Sequence, residues 1–280
     1  MPTATLSIIY GLASALVWGA GDFCGGLATK QTNVYRVVLL AHGLGVVIMA
    51  GCALLFRERA PTPHDLVFGV AGGIAGLVGL LAFYQGLSQG SMGVTAPVAA
   101  IVTAVIPIVV GAVKEGAPPP LQLLGFGVAL AAVWLLAGST NLVGARWREF
   151  RLPVLAGTGF ALFYVLFDHV SAGSVFWPLT GARIVSVLIL GLFLVTQPRG
   201  GFSAPGQWPI IGLAGLFDAA GNIFFVLAAQ AGRLDIAAVL SSLYPATTLL
   251  LARLLLNERL TPSQRWGAGL AMAALMMIAV

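Results

Sequence analysis

Apolar residues run along this chain in blocks of about twenty, and polar residues gather in the short stretches between them. A helix of roughly 20 residues covers the hydrocarbon core of a bilayer, so each block is long enough to cross one. Ten such blocks occur: residues 5–27, 34–56, 65–87, 92–113, 121–138, 152–170, 174–196, 208–230, 236–256 and 262–280. The separators are turn-forming, as in Arg57-Glu58-Arg59-Ala60-Pro61, Gly116-Ala117-Pro118-Pro119-Pro120, Gln197-Pro198-Arg199-Gly200-Gly201 and Thr261-Pro262. The first block lacks the basic flank of a secretory leader and is longer than a leader's apolar core, so it reads as a first spanning helix. The pattern predicts an all-α integral membrane protein with ten transmembrane helices.

One separator is longer and divides the chain in half. On this reading residues 1–140 form a first five-helix unit, 141–151 a linker and 152–280 a second five-helix unit. The halves also align. Val98 to Pro107 matches Ile236 to Pro245, and Gln122-Leu123-Leu124-Gly125 matches Gln264-Arg265-Trp266-Gly267. Gly79 and Phe83 match Gly221 and Phe225, Ala41-His42 matches Ala182-Arg183, and Ala15-Leu16 and Asp22 match Ala161-Leu162 and Asp168. A repeat with an odd number of spans enters the membrane from the opposite side the second time. The two halves are therefore expected as inverted copies around a central cavity, an architecture common among secondary transporters.

Composition narrows the class. Of 280 residues, 59% are hydrophobic and 8% charged, and the mean hydropathy is +0.99. A soluble domain carries roughly 25% charged residues, about three times as many. That excludes a soluble enzyme, a nucleic-acid-binding protein and a disordered chain, and makes the lipid bilayer the chain's principal partner. The net charge of +5 is spread over the connections and carries topology information. Cys24 and Cys52 lie inside apolar blocks without metal-ligand spacing and read as small packing residues. Without a P-loop or any catalytic or metal spacing, neither an enzyme nor a cofactor is expected.

An ionisable side chain at membrane depth is costly, so it marks a functional site or a structural pair. His42 and Arg183 sit about nine residues into the second and seventh blocks, at matching positions. Asp218 lies mid-block with Asn222 one turn later on the same face. Asp22 and Asp168 are expected near the ends of their blocks, either at the interface or in gating. Arg183 is open to two readings, a structural ion pair with Asp218 or a place on the transport path. Pro107 and Pro245 interrupt equivalent helices, as hinges or as static kinks. The run Gly69, Gly72, Gly73, Gly76 and Gly79 reads as a helix-packing ridge.

Ten spans in two halves, Trp18-Gly19, the proline-kinked fourth and ninth spans and Leu256-Asn257-Glu258-Arg259-Leu260 together resemble the drug/metabolite transporter superfamily, in its EamA-type branch. The first half departs from the pattern, with Lys114-Glu115-Gly116 where the second has Asn257-Glu258-Arg259-Leu260. Within that superfamily the chain is also similar to bacterial exporters of aromatic amino acids. The resemblance implies a multi-pass protein of the bacterial inner membrane, acting on a small-molecule substrate, with a single chain expected to suffice. It places the middle portions of several spans around a central cavity. There Trp18, Phe83, Tyr84, Tyr164 and Tyr244, with His42, Asp218, Asn222 and Ser241, are the expected substrate-binding residues. Phe160, Phe224 and Phe225 belong to the same aromatic set. The expected activity is export of small amphipathic metabolites, aromatic amino acids first, by alternating access. The alternative is proton-coupled efflux of drugs or other lipophilic cations, using Asp218 or Asp22. Basic residues favour the connections after odd-numbered spans, which puts the termini outside. The resemblance puts them in the cytoplasm.

Overall fold

The computed structural model describes residues 3–88, 92–136, 147–196, 205–256 and 261–278. Every long described element is an α-helix: α1 (Thr3–Thr29), α2 (Val34–Leu55), α3 (Pro63–Ser88), α4 (Met92–Glu115), α5 (Pro120–Leu136), α6 (Trp147–Phe167), α7 (Phe176–Thr196), α8 (Trp208–Ala231), α9 (Leu234–Ser241), α10 (Tyr244–Leu256) and α11 (Pro262–Ile278). Eight of the resulting segments are long and apolar enough to cross a membrane, with Leu234–Leu255 counted as one. Helices α5 and α11 have 17 residues each. The expected turn Gln197 to Gly201 and the stretch Asn257 to Leu260 lie outside the described residues, as does most of the expected linker. Helix α6 begins at Trp147, inside the stretch expected as linker.

Two local expectations change. Asp22 is not near a helix end, because α1 continues seven residues further to Thr29. The ninth block is not one helix. It breaks at Ser242-Leu243, and Pro245 is the second residue of the new helix α10. A proline there costs no helix hydrogen bond, since first-turn N–H groups have no partner within the helix, and it cannot clash with a preceding turn that has already ended. Ser242 donates its hydroxyl to the Ala238 carbonyl at 2.7 Å, occupying one acceptor at the break. Its equivalent Pro107 lies inside an unbroken α4.

The packing repeats itself when the halves are exchanged. Helix α1 packs mainly on α8, and its equivalent α6 packs on α3. Helix α4 packs on α6, as α9 and α10 pack on α1. The detail is equally regular. A Cβ on Gly73 would fall 2.5 Å from the Ala182 Cα, and one on Gly215 would fall 2.9 Å from the Ala41 Cα. Thr103 donates to the Gly157 carbonyl at 3.3 Å, and Ser241 to the Gly11 carbonyl at 3.4 Å. In each case the second contact is the first with both positions replaced by their sequence equivalents in the other half. Small residues at such points let backbones approach until van der Waals contact and inter-helix hydrogen bonds replace the missing hydrophobic drive in lipid.

Equivalent helices meet antiparallel. Tyr35 at the start of α2 packs against Phe193 near the end of α7 at 4.7 Å, and Phe56 after the end of α2 against Phe176 at the start of α7 at 5.5 Å. Gly125 near the start of α5 faces Met277 and Ile278, while Gly267 near the start of α11 faces Ala132 and Leu136. Leu54, Val47, Val113, Leu192 and Met272 are among the exposed apolar side chains, as lipid contact requires.

One end of the bundle is laced together. The Glu58 carboxylate accepts from the backbone N–H groups of Val175, Phe176 and Trp177 at the α7 N-terminus. Negative charge is favourable at that position, where the first N–H groups have no partner within the helix. Asp65 accepts from the Ser171 N–H at 2.8 Å, and Gln230 bonds Gly173, Ser171 and Ser174. Lys114 pairs with Asp168 at 2.6 Å, and Arg233 with Asp235 at 2.7 Å while donating to the Gly116 carbonyl.

These contacts predict that Gly73→Ala and Gly215→Ala each cost about 1–3 kcal/mol, the usual toll of overpacking. Gly43→Ala, which meets open space, should be neutral. Thermal unfolding of the purified variants in detergent measures the difference. Equal melting temperatures for all three would refute the close-approach account.

Candidate functional site

At the centre of the bundle lies a small cavity. Its wall is built from six helices: Trp18 and Asp22 of α1, Gly76 and Leu80 of α3, Phe160, Phe163 and Tyr164 of α6, Arg183 of α7, Asp218 and Asn222 of α8, and Tyr244 of α10. Helical spacing explains the pairs. Residues four apart share a face, so Trp18 with Asp22, Gly76 with Leu80, and Asp218 with Asn222 each point inward together. Tyr244 reaches the wall because the helix restarts there, the first residue after the break.

The polar side of the wall is organised by one ion pair. Arg183 Nη2 meets Asp218 Oδ2 at 2.6 Å, and Arg183 Nη1 meets His42 Nε2 at 3.0 Å. A guanidinium only donates, so His42 Nε2 is the acceptor in this contact and the ring is neutral. Asn222 donates to the other Asp218 oxygen at 3.2 Å. Arg183 is 4% exposed and His42 0%, so the charge is held by protein partners instead of water. The Arg183 stem also rests on Gly45 of α2, where a Cβ would come within 3.5 Å of it.

The apolar side is a stack of rings. Trp18 lies over Tyr164 at 5.7 Å and nearly parallel, at 9°, and Tyr164 lies over Phe225 at 3.9 Å. Gly221 is required beneath Trp18, since a Cβ there would overlap the indole. Trp18 and Tyr164 occupy equivalent positions in the two halves, as do His42 and Arg183. Two such self-contacts place the pseudo-two-fold axis between the halves through the cavity.

The remaining expected residues lie behind the wall or away from it. Phe83 is 1% exposed and packs edge-on against Phe160 at 5.8 Å and Tyr244 at 6.1 Å. Tyr84 is buried with its hydroxyl against Gly25 of α1. Ser241 fastens the helix break to α1. Phe224 stacks at 6.3 Å on Tyr10, away from the wall. Asp168 is outside the cavity, in the Lys114 pair, because α6 ends at Phe167 while α1 carries its equivalent, Asp22, two turns inside. Sequence reasoning did not single out Gly76, Leu80 or Phe163 for the wall. A signal for two of them was present, since Gly76 and Leu80 are the equivalents of Asp218 and Asn222.

Three equivalent pairs thus share the wall, Trp18 with Tyr164, Gly76 with Asp218 and Leu80 with Asn222, and the last two differ in chemistry. Where one half offers a carboxylate and an amide, the other offers a hydrogen and an isobutyl group. The chemistry of this lining suits a molecule with an apolar flat body and one polar end.

Comparison with known proteins agrees with this architecture. A solved crystal structure, described in its own record only as that of a protein, is 16% identical and superposes with a TM-score of 0.75 over 97% of this chain and 95% of that one. That likeness speaks to the fold. No curated protein matches the sequence. The EamA-like transporter family matches twice, over residues 5–138 and 152–280, one match for each half. On those two matches the chain belongs to the EamA-like transporter family of the drug/metabolite transporter superfamily, and is a multi-pass membrane transporter of small solutes.

Proposed function

We propose that the chain crosses the membrane ten times, with α5 and α11 among the crossings, and alternates access to the central cavity. Its task on this reading is export of small amphipathic metabolites across a bacterial inner membrane. Aromatic amino acids are the first candidates, by the family resemblance, and lipophilic cations moved against protons are the second. The observation that carries the proposal is the meeting of equivalent residues at the cavity, Trp18 on Tyr164 and His42 on Arg183. Two halves with antiparallel equivalent helices can exchange conformations about such an axis. The site on the axis then faces either side in turn while keeping its contents. On this reading the contacts of the laced end, with Glu58, Asp65 and the Lys114–Asp168 pair, hold one side of the bundle shut. On this reading transport draws its energy from gradients of substrate or ion.

Trp18→Ala and Tyr244→Ala are expected to lower transport by about tenfold or more in proteoliposomes, each having lost a large wall contact. Tyr84→Phe, behind the wall, should transport normally. Labelled tryptophan and a fluorescent organic cation serve as the two substrates. Undiminished uptake of both by the Trp18 and Tyr244 variants would sink the assignment of this cavity.

The ion pair separates folding from function. Removing one partner of a buried pair typically costs 3–5 kcal/mol, because the other charge is left stranded. Arg183→Met alone should therefore lose folded protein on size-exclusion chromatography. Arg183→Met combined with Asp218→Leu should recover it and remain inactive. A double variant that transports normally would make the pair purely structural.

A further inference from the structure

The charges around the cavity do not balance. Asp22 and Asp218 bring two carboxylates, and Arg183 brings one guanidinium. His42 adds no charge, because it accepts from Arg183. Tyr164 and Tyr244 are neutral phenols. Asp218 holds Arg183 at 2.6 Å, whereas Asp22 has neither a cationic partner nor a hydrogen-bond donor among the described residues. The cations Lys114 and Arg233 are committed to Asp168 and Asp235 at the laced end of the bundle. With Asp22 ionised, the cavity therefore stands one positive charge short of neutrality.

A net charge at this depth is expensive, so something must supply the missing cation. A proton can do so while the cavity is empty. The surroundings of Asp22 suit something larger. Trp18 stands one turn before it on the same face of α1, and Tyr164 stacks on that indole at 5.7 Å. Aromatic faces attract a cation and accept a flat ring. A substrate carboxylate has no comparable place, since the one guanidinium in the wall is already taken by Asp218.

Resting on the cavity's being the transport site, we infer that Asp22 receives the positive charge of the substrate and that the cavity selects an aromatic monocation over a zwitterionic amino acid. The selection follows from charge count. An amine displaces the proton and pairs with the ionised Asp22, whereas an amino acid also brings a carboxylate that meets no free cation in the wall. Of the two substrate classes considered above, this favours organic cations with an aromatic body.

The test uses the whole chain in nanodiscs, with empty nanodiscs as the blank, and three probes that share one ring. Phenethylamine carries a positive charge, phenylalanine both charges and 3-phenylpropionate a negative one. Calorimetry should rank the amine tightest, the amino acid weaker by about tenfold or more and the acid weakest, because a hydrogen bond to a charged group is worth at least that much. Asp22→Asn should weaken the amine by about tenfold and bring it level with the amino acid. Its unfolding temperature should stay unchanged, which shows that the loss is not misfolding. Amino acid binding as tight as amine binding overturns the inference. So does unchanged amine affinity in Asp22→Asn while Trp18→Ala weakens it, in which case the cavity stands and the Asp22 assignment falls. Amine affinity unchanged in both variants would remove the cavity reading itself, and absence of amine binding to the unaltered protein would remove the proposed substrate class.

Discussion

The contact between Arg183 and Asp218 fixes what this bundle can be. A guanidinium at membrane depth is costly without a counter-ion, and here another helix brings one at a defined height. Here α7 supplies the cation, α8 the anion, and α2 a neutral histidine that accepts one further N–H. Three helices are locked in register by one cluster. The same cluster forms part of the cavity wall, so a polar wall exists only while those helices keep that register.

Around this centre the packing is driven by shape. Glycines of α3 and α8 bring their helices against alanines of α7 and α2, and the hydroxyls of Thr103 and Ser241 bond carbonyls of α6 and α1. Each contact occurs twice, once per half. That regularity gives two similar frames facing each other, while the side chains in the frames have diverged. Asp218 stands where the other half has Gly76, and Trp18 where it has Tyr164. The frame provides an equivalence suited to alternating exposure, and the divergence provides one specific site instead of two.

The same divergence separates the fates of equivalent acids. Asp22 and Asp168 align, yet one lies in the cavity and the other holds Lys114 at the end of the bundle. The cause is local. Helix α1 continues through Asp22 to Thr29, whereas α6 stops one residue before Asp168. Pro107 and Pro245 diverge in a comparable way, one inside a continuous helix and the other in the first turn of a new one.

The hydrophobic pattern by itself determined the helices, their approximate limits and the repeat, because a membrane helix must be continuously apolar and about twenty residues long. It also picked out the few residues that merited attention, since charge and aromatic hydroxyls are conspicuous against such a background. Trp18, Asp218, Asn222, Tyr164 and Tyr244 were legible in that way. Which of them meet was not legible, because inward and lipid-facing sides of a helix are both apolar and amphipathicity is nearly absent. Only the tertiary structure put Phe83 and Tyr84 behind the wall, brought Gly76 and Leu80 onto it and carried Asp168 away from it. Only the tertiary structure joined Arg183 to Asp218 and left Asp22 without a cation among the described residues. Helix rotation and the point where a helix ends decide these outcomes. Both are set by contacts between segments far apart in the chain.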